Sequence, residues 1–217
     1  MREMDVKSIY TNRFAGQMNF RKAMWHVLCR EYFQKHILDD NFVVEIGAGY
    51  CEFINSIRAA KKIAVDINPD TSKYAGSDVQ VIQASSTDLK GISSDSVDRV
   101  FASNCFEHLS RPDILTTLAE IRRIIKTGGK MITLQPNFRY CYKDYYMFFD
   151  HISALDHRSM EEALVVKGFT VQTIIPRFLP YTSQGSLPKS LLLLRLYLRL
   201  PMLWKIFGGQ MLIIATK

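Results

Sequence analysis

The sequence predicts an α/β domain in which a mostly parallel sheet has helices on both faces. Short apolar runs of strand length recur at residues 42–46, 63–65, 79–82, 97–102 and 131–134. Helix-like segments separate several of them, near residues 52–60 and 112–126. Because strands that alternate with helices are joined by crossovers, this order favours parallel pairing. The length of 217 residues suits one domain with a full core.

The sequence also predicts a helix before the first strand, the end of the 112–126 helix and a helix after the fifth strand. Residues 19–37 have apolar side chains spaced for one helical face. The segment Thr127-Gly128-Gly129 predicts the end of the 112–126 helix, with glycine at a left-handed C-cap. A further helix is predicted over residues 159–167, and it ends at Gly168.

Two more strands are predicted near the C-terminus, at residues 169–175 and 210–215. The turn at Gly208-Gly209 precedes the second of them and supports an added edge strand. With the five earlier runs, these strands indicate a sheet of seven.

The excess positive charge lies in the last quarter of the chain. Lys and Arg total 28 against 21 Asp and Glu, a net charge of +7. The last acidic residue is Glu162, and the basic residues after it are Lys167, Arg177, Lys189, Arg195, Arg199, Lys205 and Lys217. The preceding part of the chain is therefore neutral. Such a tail favours an anionic partner, which could be a phosphorylated substrate, a membrane surface or nucleic acid.

The cysteines indicate a reducing environment. Cys29, Cys51, Cys105 and Cys141 are scattered and form no CxxC pair. This pattern predicts reduced, mostly buried thiols of a cytoplasmic protein, rather than a disulfide frame or a zinc site. The sequence has no apolar run of about 20 residues that could span a membrane, and its first residues do not resemble a secretory signal.

A glycine turn after the first predicted strand indicates a ligand site. Gly47 and Gly49 allow close approach of the backbone to a ligand. A dinucleotide fingerprint would need a third glycine at position 52, where the chain has Glu52, so NAD and FAD are disfavoured. Glu45 suits an ammonium group, and S-adenosylmethionine (SAM) carries an ammonium and a sulfonium but no phosphate. A glycine turn without a ligand is the open alternative.

An acidic residue at the end of the second predicted strand supports the ligand hypothesis. Asp66 follows Ile63-Ala64-Val65, and a carboxylate there can accept two hydrogen bonds from a ribose diol. The alternative is that Asp66 caps a helix beginning at Asn68-Pro69-Asp70. The glycine turn and Asp66 together favour ligand binding.

Taken in order, these and later motifs resemble the class I SAM-dependent methyltransferases, of the type 11/12 kind. Residues 45–49 resemble the first motif of that family, residues 65–69 its ribose-binding strand end, and residues 84–89 its adenine contact. Residues 97–104 resemble its fourth strand, with Glu107-His108-Leu109 following, and residues 124–130 resemble the turn before its fifth strand.

The resemblance implies a Rossmann-like, seven-stranded, mostly parallel sheet with an antiparallel C-terminal edge strand and helices on both faces. It implies one methyltransferase domain over residues 1–217: a helical cap (1–40), a cofactor-binding core (41–136) and an acceptor-side insert with the last strands and a basic leucine-rich segment (137–217). The residues implied to bind SAM are Glu45, Gly47, Ala48, Gly49, Asp66, Ile67, Ser85, Ser86 and Asn104.

The sequence departs from the family pattern at three places. Cys51 stands where a third glycine is common, so we expect a modest adjustment of the turn. Ser85 stands where an acid often meets the adenine amino group, and its hydroxyl can accept that hydrogen bond less strongly. Residues 103–106 are not the (D/N)PP(Y/F) signature, which weakens methylation of base or glutamine amino groups.

Residues 135–140, 148–151 and 177–181 resemble a bacterial subgroup of small methyltransferases associated with glycan and polysaccharide assembly. The resemblance therefore implies methyl transfer from SAM to a small-molecule, sugar or glycolipid acceptor, at a hydroxyl. The alternatives are an RNA or protein methyltransferase that uses the basic tail, and a catalytically inactive binding or scaffold protein.

In this fold the end of strand four and the loop after strand five face the methyl group, so His108, Glu107 and His151 are the catalytic candidates. Histidine has a suitable pKa for a base near neutral pH. Equally, His108 could cap or pack, and Asp150 could orient His151 although adjacent side chains usually point apart. No ligand spacing predicts a metal site.

Two aromatic segments could cover the site. Tyr140, Tyr142, Tyr145, Tyr146, Phe148 and Phe149 could line an acceptor pocket, or pack as a lid helix without touching substrate. Tyr10, Arg13 and Phe14 could belong to an N-terminal cap over the cofactor, with Arg13 near an anionic group or in solvent.

The leucine-rich segment Ser190–Phe207 is too short and too charged to span a bilayer. It could lie on a membrane surface beside anionic head groups. The favoured alternative is that it covers the sheet edge or forms a dimer contact. We expect a cytoplasmic monomer or homodimer, peripheral at the inner membrane face if the first alternative holds, with nucleic acid disfavoured as a partner.

Overall fold

The computed structural model describes residue 16 and residues 18–181 and 189–217. The cap residues Tyr10, Arg13 and Phe14 lie outside the described residues. The helices are α1 (Met18–Glu31), α2 (Arg111–Ile124), α3 (Phe138–Cys141), α4 (His157–Val166), α5 (Leu191–Arg199) and α6 (Pro201–Phe207). The strands are β1 (Phe42–Ile46), β2 (Lys61–Asp66), β3 (Val79–Gln83), β4 (Val97–Ser103), β5 (Ile125–Pro136), β6 (Thr170–Ile175) and β7 (Gln210–Thr216). Short 3-10 helices lie at Phe33–His36, Pro69–Lys73, Phe106–His108 and Tyr145–Met147.

The described strands form one sheet in the order β3-β2-β1-β4-β5-β7-β6, which confirms the predicted fold class. Strands β1 to β5 are parallel, and β7 is antiparallel to both β5 and β6. The C-terminal strand is antiparallel as predicted, but its predicted place at the edge is wrong: β7 lies inside the sheet, and β6 forms the edge. Strand β7 pairs on both sides, and all but the last of its seven residues are buried.

The strand order reverses at β1, which pairs with β2 on one side and β4 on the other. In open parallel sheets, ligands bind beyond the carboxyl ends of the strands at such a switch point. The glycine turn directly follows β1 and therefore lies at this point.

Two apolar cores cover the faces of the sheet, because alternate strand residues point to opposite faces. Val44 and Ile46 of β1 belong to the core that contains Leu118 of α2. Val43 belongs to the opposite core, with Trp25 of α1. Helices α5 and α6 cover part of this second core, through the buried Tyr197 and Leu198 and the partly buried Leu203 and Trp204.

The helix predicted over residues 52–60 is wrong, since residues 49–56 form a series of turns. The carboxylate of Glu45 accepts the N–H of Ile54 at 3.1 Å, a donor that an α-helix would use for the carbonyl four residues earlier. Cys51 also has a φ of 57°, a left-handed conformation that interrupts helical geometry.

The C-cap predicted at Thr127-Gly128-Gly129 is also wrong. Helix α2 ends at Ile124, and its C-cap Ile125 is extended. The glycines lie within β5, where the pairing register with β4 shifts between Val97 and Arg99. Gly128 has a φ of 77°, so glycine serves an irregularity of the strand and not the end of the helix.

The helix predicted over residues 19–37 is α1 followed by a separate 3-10 helix, Phe33–His36. Helix α4 begins earlier than predicted because Asp156 and Ser159 form a capping box at its start. The four cysteines are buried free thiols, as predicted.

Candidate functional site

A cavity of about 530 Å³ lies beyond the carboxyl ends of β1 and β4. Of the predicted site residues, those that line it are Glu45, Gly47, Ala48, Gly49, Asn104, Glu107, His108 and His151. Asp66, Ile67, Ser85 and Ser86 are outside its lining. The structure therefore brings the glycine turn together with the histidines, and the residues predicted to hold ribose and adenine are not part of the cavity lining.

The glycine turn is held against the end of β2 by backbone hydrogen bonds. The amides of Gly47 and Ala48 donate to the carbonyl of Val65 at 2.9 and 3.2 Å. Gly47 has a φ of 68°, and a Cβ there would lie 3.1 Å from the sulfur of Cys105. Gly49 has a φ of 50°. The positive φ of both residues favours glycine. At position 47, the nearby sulfur of Cys105 also leaves little room for a Cβ.

Glu45 is buried at the base of the cavity, where its carboxylate accepts the N–H of Ile54. Burial raises the pKa of Glu45 well above its ordinary value, and the charges of Glu52 and Asp66 act in the same direction. A buried carboxylate of this kind is stabilised as an anion by a bound cation. The position therefore suits a positively charged ligand.

Asp66 is buried, and its two oxygens accept the amides of Gly49 at 2.7 Å and Asn68 at 2.8 Å. Burial raises the pKa of Asp66 above its ordinary value, while these hydrogen bonds partly oppose the shift. The N-cap of the 3-10 helix Pro69–Lys73 is Asn68, whose side chain accepts the amide of Asp70. The capping alternative for Asp66 is therefore wrong. A carboxylate has about four lone-pair sites, so Asp66 can still accept a further donor.

The residues predicted to contact adenine have other hydrogen-bond partners. The hydroxyl of Ser85 is exposed and lies 2.8 Å from that of Thr87. The hydroxyl of Ser86 lies 2.9 Å from that of Thr117 on α2. Ile67 presents an exposed apolar side chain next to Asp66.

Glu107, His108 and His151 form a cluster in the cavity wall, each with a ligand atom within 4.8 Å of the others. The Nδ1 of His108 lies 3.0 Å from the carbonyl oxygen of Asp150. The carboxylate of Asp150 lies 3.4 Å from the same nitrogen. Asp150 therefore orients His108. The sequence has no metal-ligand spacing that would reveal this grouping, because its residues come from two distant segments.

The aromatic segment after β5 is not the predicted lid helix, because α3 and a 3-10 helix divide it. Tyr145 is fully buried, and its hydroxyl donates to the carbonyl of Ser153. Phe148 lines the cavity. Tyr142, Tyr146 and Phe149 are exposed. Only part of the segment therefore contributes to a pocket.

Sequence reasoning missed a charged pair at the cavity wall. Arg21 on α1 donates through Nε to Glu52 at 2.9 Å, and both residues line the cavity. In the sequence, Glu52 is recognisable only as a departure from a dinucleotide motif. A pairing across 31 residues leaves no local sequence signal.

The leucine-rich segment forms the mouth of the cavity. Leu193, Leu194, Leu196, Leu203 and Phe207 line it. Leu192 and Met202 are 74% and 79% exposed. The segment therefore covers one core and also presents an apolar outer face. No helix within the described residues is both long and apolar enough to cross a membrane.

Residues 44–133 match the family model described as a methyltransferase domain. No curated protein matches the chain significantly. Among solved structures, a SAM-dependent methyltransferase from Archaeoglobus fulgidus is 20% identical, with a TM-score of 0.69 over 97% of this chain and 99% of that one. One from Thermotoga maritima, described as a possible histamine N-methyltransferase, is 20% identical, with a TM-score of 0.66 over 99% of this chain and 97% of that one.

A geranyl diphosphate C-methyltransferase from Streptomyces coelicolor is also similar, at 13% identity and a TM-score of 0.59 over 87% of this chain and 76% of that one. At these identities the likeness is one of fold. The family match covers 90 of the 217 residues, and the solved structures show that the chain has the fold of class I SAM-dependent methyltransferases. The chain is a SAM-dependent methyltransferase, and SAM is its methyl donor.

Proposed function

We propose that the chain transfers the methyl group of SAM to a hydroxyl of a small-molecule, sugar or glycolipid acceptor bound in the cavity. The observation that carries this proposal is the cluster of Glu107, His108 and His151 in the cavity wall, beside the glycine turn. An alcohol oxygen becomes a good nucleophile only as its proton leaves, so it needs an activating group at this place. His108 and His151 are the proposed catalytic residues.

The proposed contacts with SAM are based on the two buried carboxylates, Asp66 and Glu45. Asp66 accepts the ribose hydroxyls, and Glu45 faces the ammonium end of SAM through the glycine turn, with Ala48 and Asn104 beside it. The apolar side chain of Ile67, exposed next to Asp66, supports a contact with the adenine ring. Ser85 and Ser86 contribute through the backbone, since their hydroxyls have partners within the protein.

The reaction is an in-line displacement. The acceptor oxygen forms a bond to the methyl carbon while the carbon–sulfur bond breaks, and its electron pair stays on sulfur to give S-adenosylhomocysteine. The hydroxyl proton leaves through the activating cluster to solvent. The rest of the cavity aligns donor and acceptor and excludes water, which suits its apolar walls from Trp25, Leu134 and Leu179.

The apolar mouth of the cavity favours an acceptor with an apolar part, such as a glycolipid. Leucines of α5 and α6 line the mouth, and their neighbours Leu192 and Met202 are exposed beside it. Such a face suits peripheral contact with a membrane surface that holds the acceptor. The association with glycan assembly is part of this proposal and is supported by the sequence resemblance alone.

The basic tail supports a small acceptor over RNA or protein, because much of its charge is engaged within the fold. Arg177 donates to the carbonyls of Gly208 and Ile206. Lys217 lies 2.6 Å from the carboxylate of Asp95. Arg195 and Arg199 lie 3.9 and 3.7 Å from that of Glu31.

The test is an acceptor screen with methyl-labelled SAM. Nucleotide sugars, lipid-linked glycans and apolar alcohols are offered to the purified protein, and labelled product and S-adenosylhomocysteine are quantified. We expect transfer to a hydroxyl that falls strongly in His108→Ala and His151→Ala but not in His26→Ala, which changes an exposed histidine of α1. SAM binding without turnover on any acceptor would favour the scaffold alternative, and salt-sensitive retardation of RNA would favour nucleic acid.

A further inference from the structure

We propose that Glu107, His108 and His151 together bind one divalent transition-metal ion in the cavity wall. Each residue supplies one ligand atom, and the three atoms lie within 4.8 Å of one another. Glu107 is 1% exposed and His151 7% exposed, while His108 is partly exposed to the cavity. A buried carboxylate grouped with two imidazoles is a ligand set that a cation stabilises.

The two segments that carry the ligands are held together by hydrogen bonds. The amides of Ile152 and Ser153 both donate to the carbonyl of Glu107, at 2.9 and 3.1 Å. The hydroxyl of Ser153 donates to the carbonyl of Leu109 at 2.6 Å. These bonds place His151 beside the 3-10 helix that carries the other two ligands. The ligand positions are therefore fixed by the fold before any ion binds.

His108 has the hydrogen bond expected of a metal ligand. Because a carbonyl oxygen only accepts, the 3.0 Å contact between Nδ1 and the carbonyl of Asp150 assigns the ring proton to Nδ1. The lone pair is then on Nε2, which lies 3.9 Å from a carboxylate oxygen of Glu107. A ligating histidine commonly donates its other ring N–H to a carbonyl or carboxylate in this way.

The ligand set selects the kind of ion. Imidazole nitrogens suit zinc, iron, nickel or copper, whereas magnesium and calcium prefer oxygen ligands alone. Two ligand atoms at about 2.1 Å from one ion lie about 3–3.5 Å apart. Binding an ion therefore needs side-chain rotations that shorten the 3.9 Å between His108 and Glu107 and the other separations, which lie within 4.8 Å. Three protein ligands leave a coordination position open to the cavity.

The inference rests on the proposed function only for the role of the ion. An acceptor hydroxyl bound at the open position would have its pKa lowered by the ion, so that its proton passes to solvent water as the oxygen attacks the methyl carbon. The histidines then act as ligands, and the activation of the hydroxyl comes from the ion that they hold.

The test measures ion binding directly. Chelator-treated protein is titrated with Zn²⁺ by calorimetry and with Co²⁺ by visible absorption, which reports the ligand geometry. We expect one ion per chain. We expect ion binding to be weaker by at least about tenfold in Glu107→Gln and in His151→Ala. It should be unchanged in the control variant His26→Ala. Binding of S-adenosylhomocysteine checks that each variant is folded.

Chelator-treated protein that binds neither ion, or variants that bind it as the wild type does, would overturn the inference. Full methyl transfer by metal-free protein would overturn the role of the ion in activating the hydroxyl, while the proposed function would stand. Ion binding at this cluster without methylation of any hydroxyl would support the metal site and show that the proposed acceptor is wrong.

Discussion

The carboxylate of Asp66 accepts a hydrogen bond from the amide of Gly49, with 2.7 Å between oxygen and nitrogen. This bond joins the end of β2 to the glycine turn that follows β1. The other oxygen of Asp66 accepts the amide of Asn68 at 2.8 Å. The carboxylate proposed to bind ribose is therefore oriented before the cofactor arrives, which lowers the entropic cost of binding.

Replacement of Asp66 by alanine should weaken SAM binding by about 1–3 kcal/mol, because the ribose hydrogen bonds are no longer made. Calorimetric titration measures the change. Asp39→Ala, which removes an exposed carboxylate, should leave the affinity unchanged. Unaltered affinity in a folded Asp66→Ala protein would refute the ribose assignment.

SAM affinity should fall as the pH decreases, and the fall should begin at a higher pH than the ordinary pKa of an aspartate would give. Burial raises the pKa of Asp66, so its carboxylate takes up a proton at a higher pH than an exposed aspartate does. Only the ionised form accepts both ribose hydroxyls. The raised pKa means that burial disfavours the ionised form of Asp66, so protonation at lower pH removes the cost of a buried charge in the free protein.

Titrations at several pH values check this dependence, with Asp66→Asn as the control. Because the amide does not titrate, the variant should show a shallower fall, with Glu45 as the remaining buried carboxylate. The same pH dependence in the wild type and the variant would show that Asp66 does not govern it.

Gly47→Ala should destabilise the protein more than Gly128→Ala does. Both glycines have positive φ, 68° and 77°, so each substitution costs about 1–2 kcal/mol in backbone strain. A Cβ at position 47 also meets the sulfur of Cys105 at 3.1 Å, whereas one at position 128 meets nothing within 4 Å. Urea unfolding measures both free energies, and equal losses would contradict the steric account.

The exposed apolar face at the cavity mouth should bind membranes. The double variant Leu192→Asp plus Met202→Asp should lose co-sedimentation with anionic phospholipid vesicles, because charged residues replace apolar area. The matched control is Val165→Asp plus Val166→Asp, which changes two exposed apolar residues of α4. Similar loss in both variants, or no sedimentation of the wild type, would argue against the membrane contact.

The parallel core and the glycine turn were predictable because their signals are local. Apolar runs of strand length mark β1 to β4, and the positive φ at Gly47 and Gly49 is one that glycine adopts readily. The turns at residues 49–56 were not predictable, since the carboxylate that takes the N–H of Ile54 comes from Glu45, in the preceding strand.

The catalytic candidates were found by resemblance, but their grouping was not. His108 and Asp150 lie 42 residues apart, so their contact has no sequence signal. Adjacency in the chain suggested only His151 as a partner of Asp150, whereas the fold also brings Asp150 to His108. The grouping of Glu107, His108 and His151 has no sequence signal for the same reason, because these residues come from two segments that tertiary hydrogen bonds bring together.

The most direct test of the central claim is calorimetric titration of the purified protein with SAM, S-adenosylhomocysteine and NAD. Glu52 excludes the third glycine of a dinucleotide turn, and Glu45 and Asp66 form a buried acidic site that suits SAM. We expect micromolar binding of SAM and S-adenosylhomocysteine and no binding of NAD. Binding of NAD, or of none of the three, would contradict the cofactor assignment.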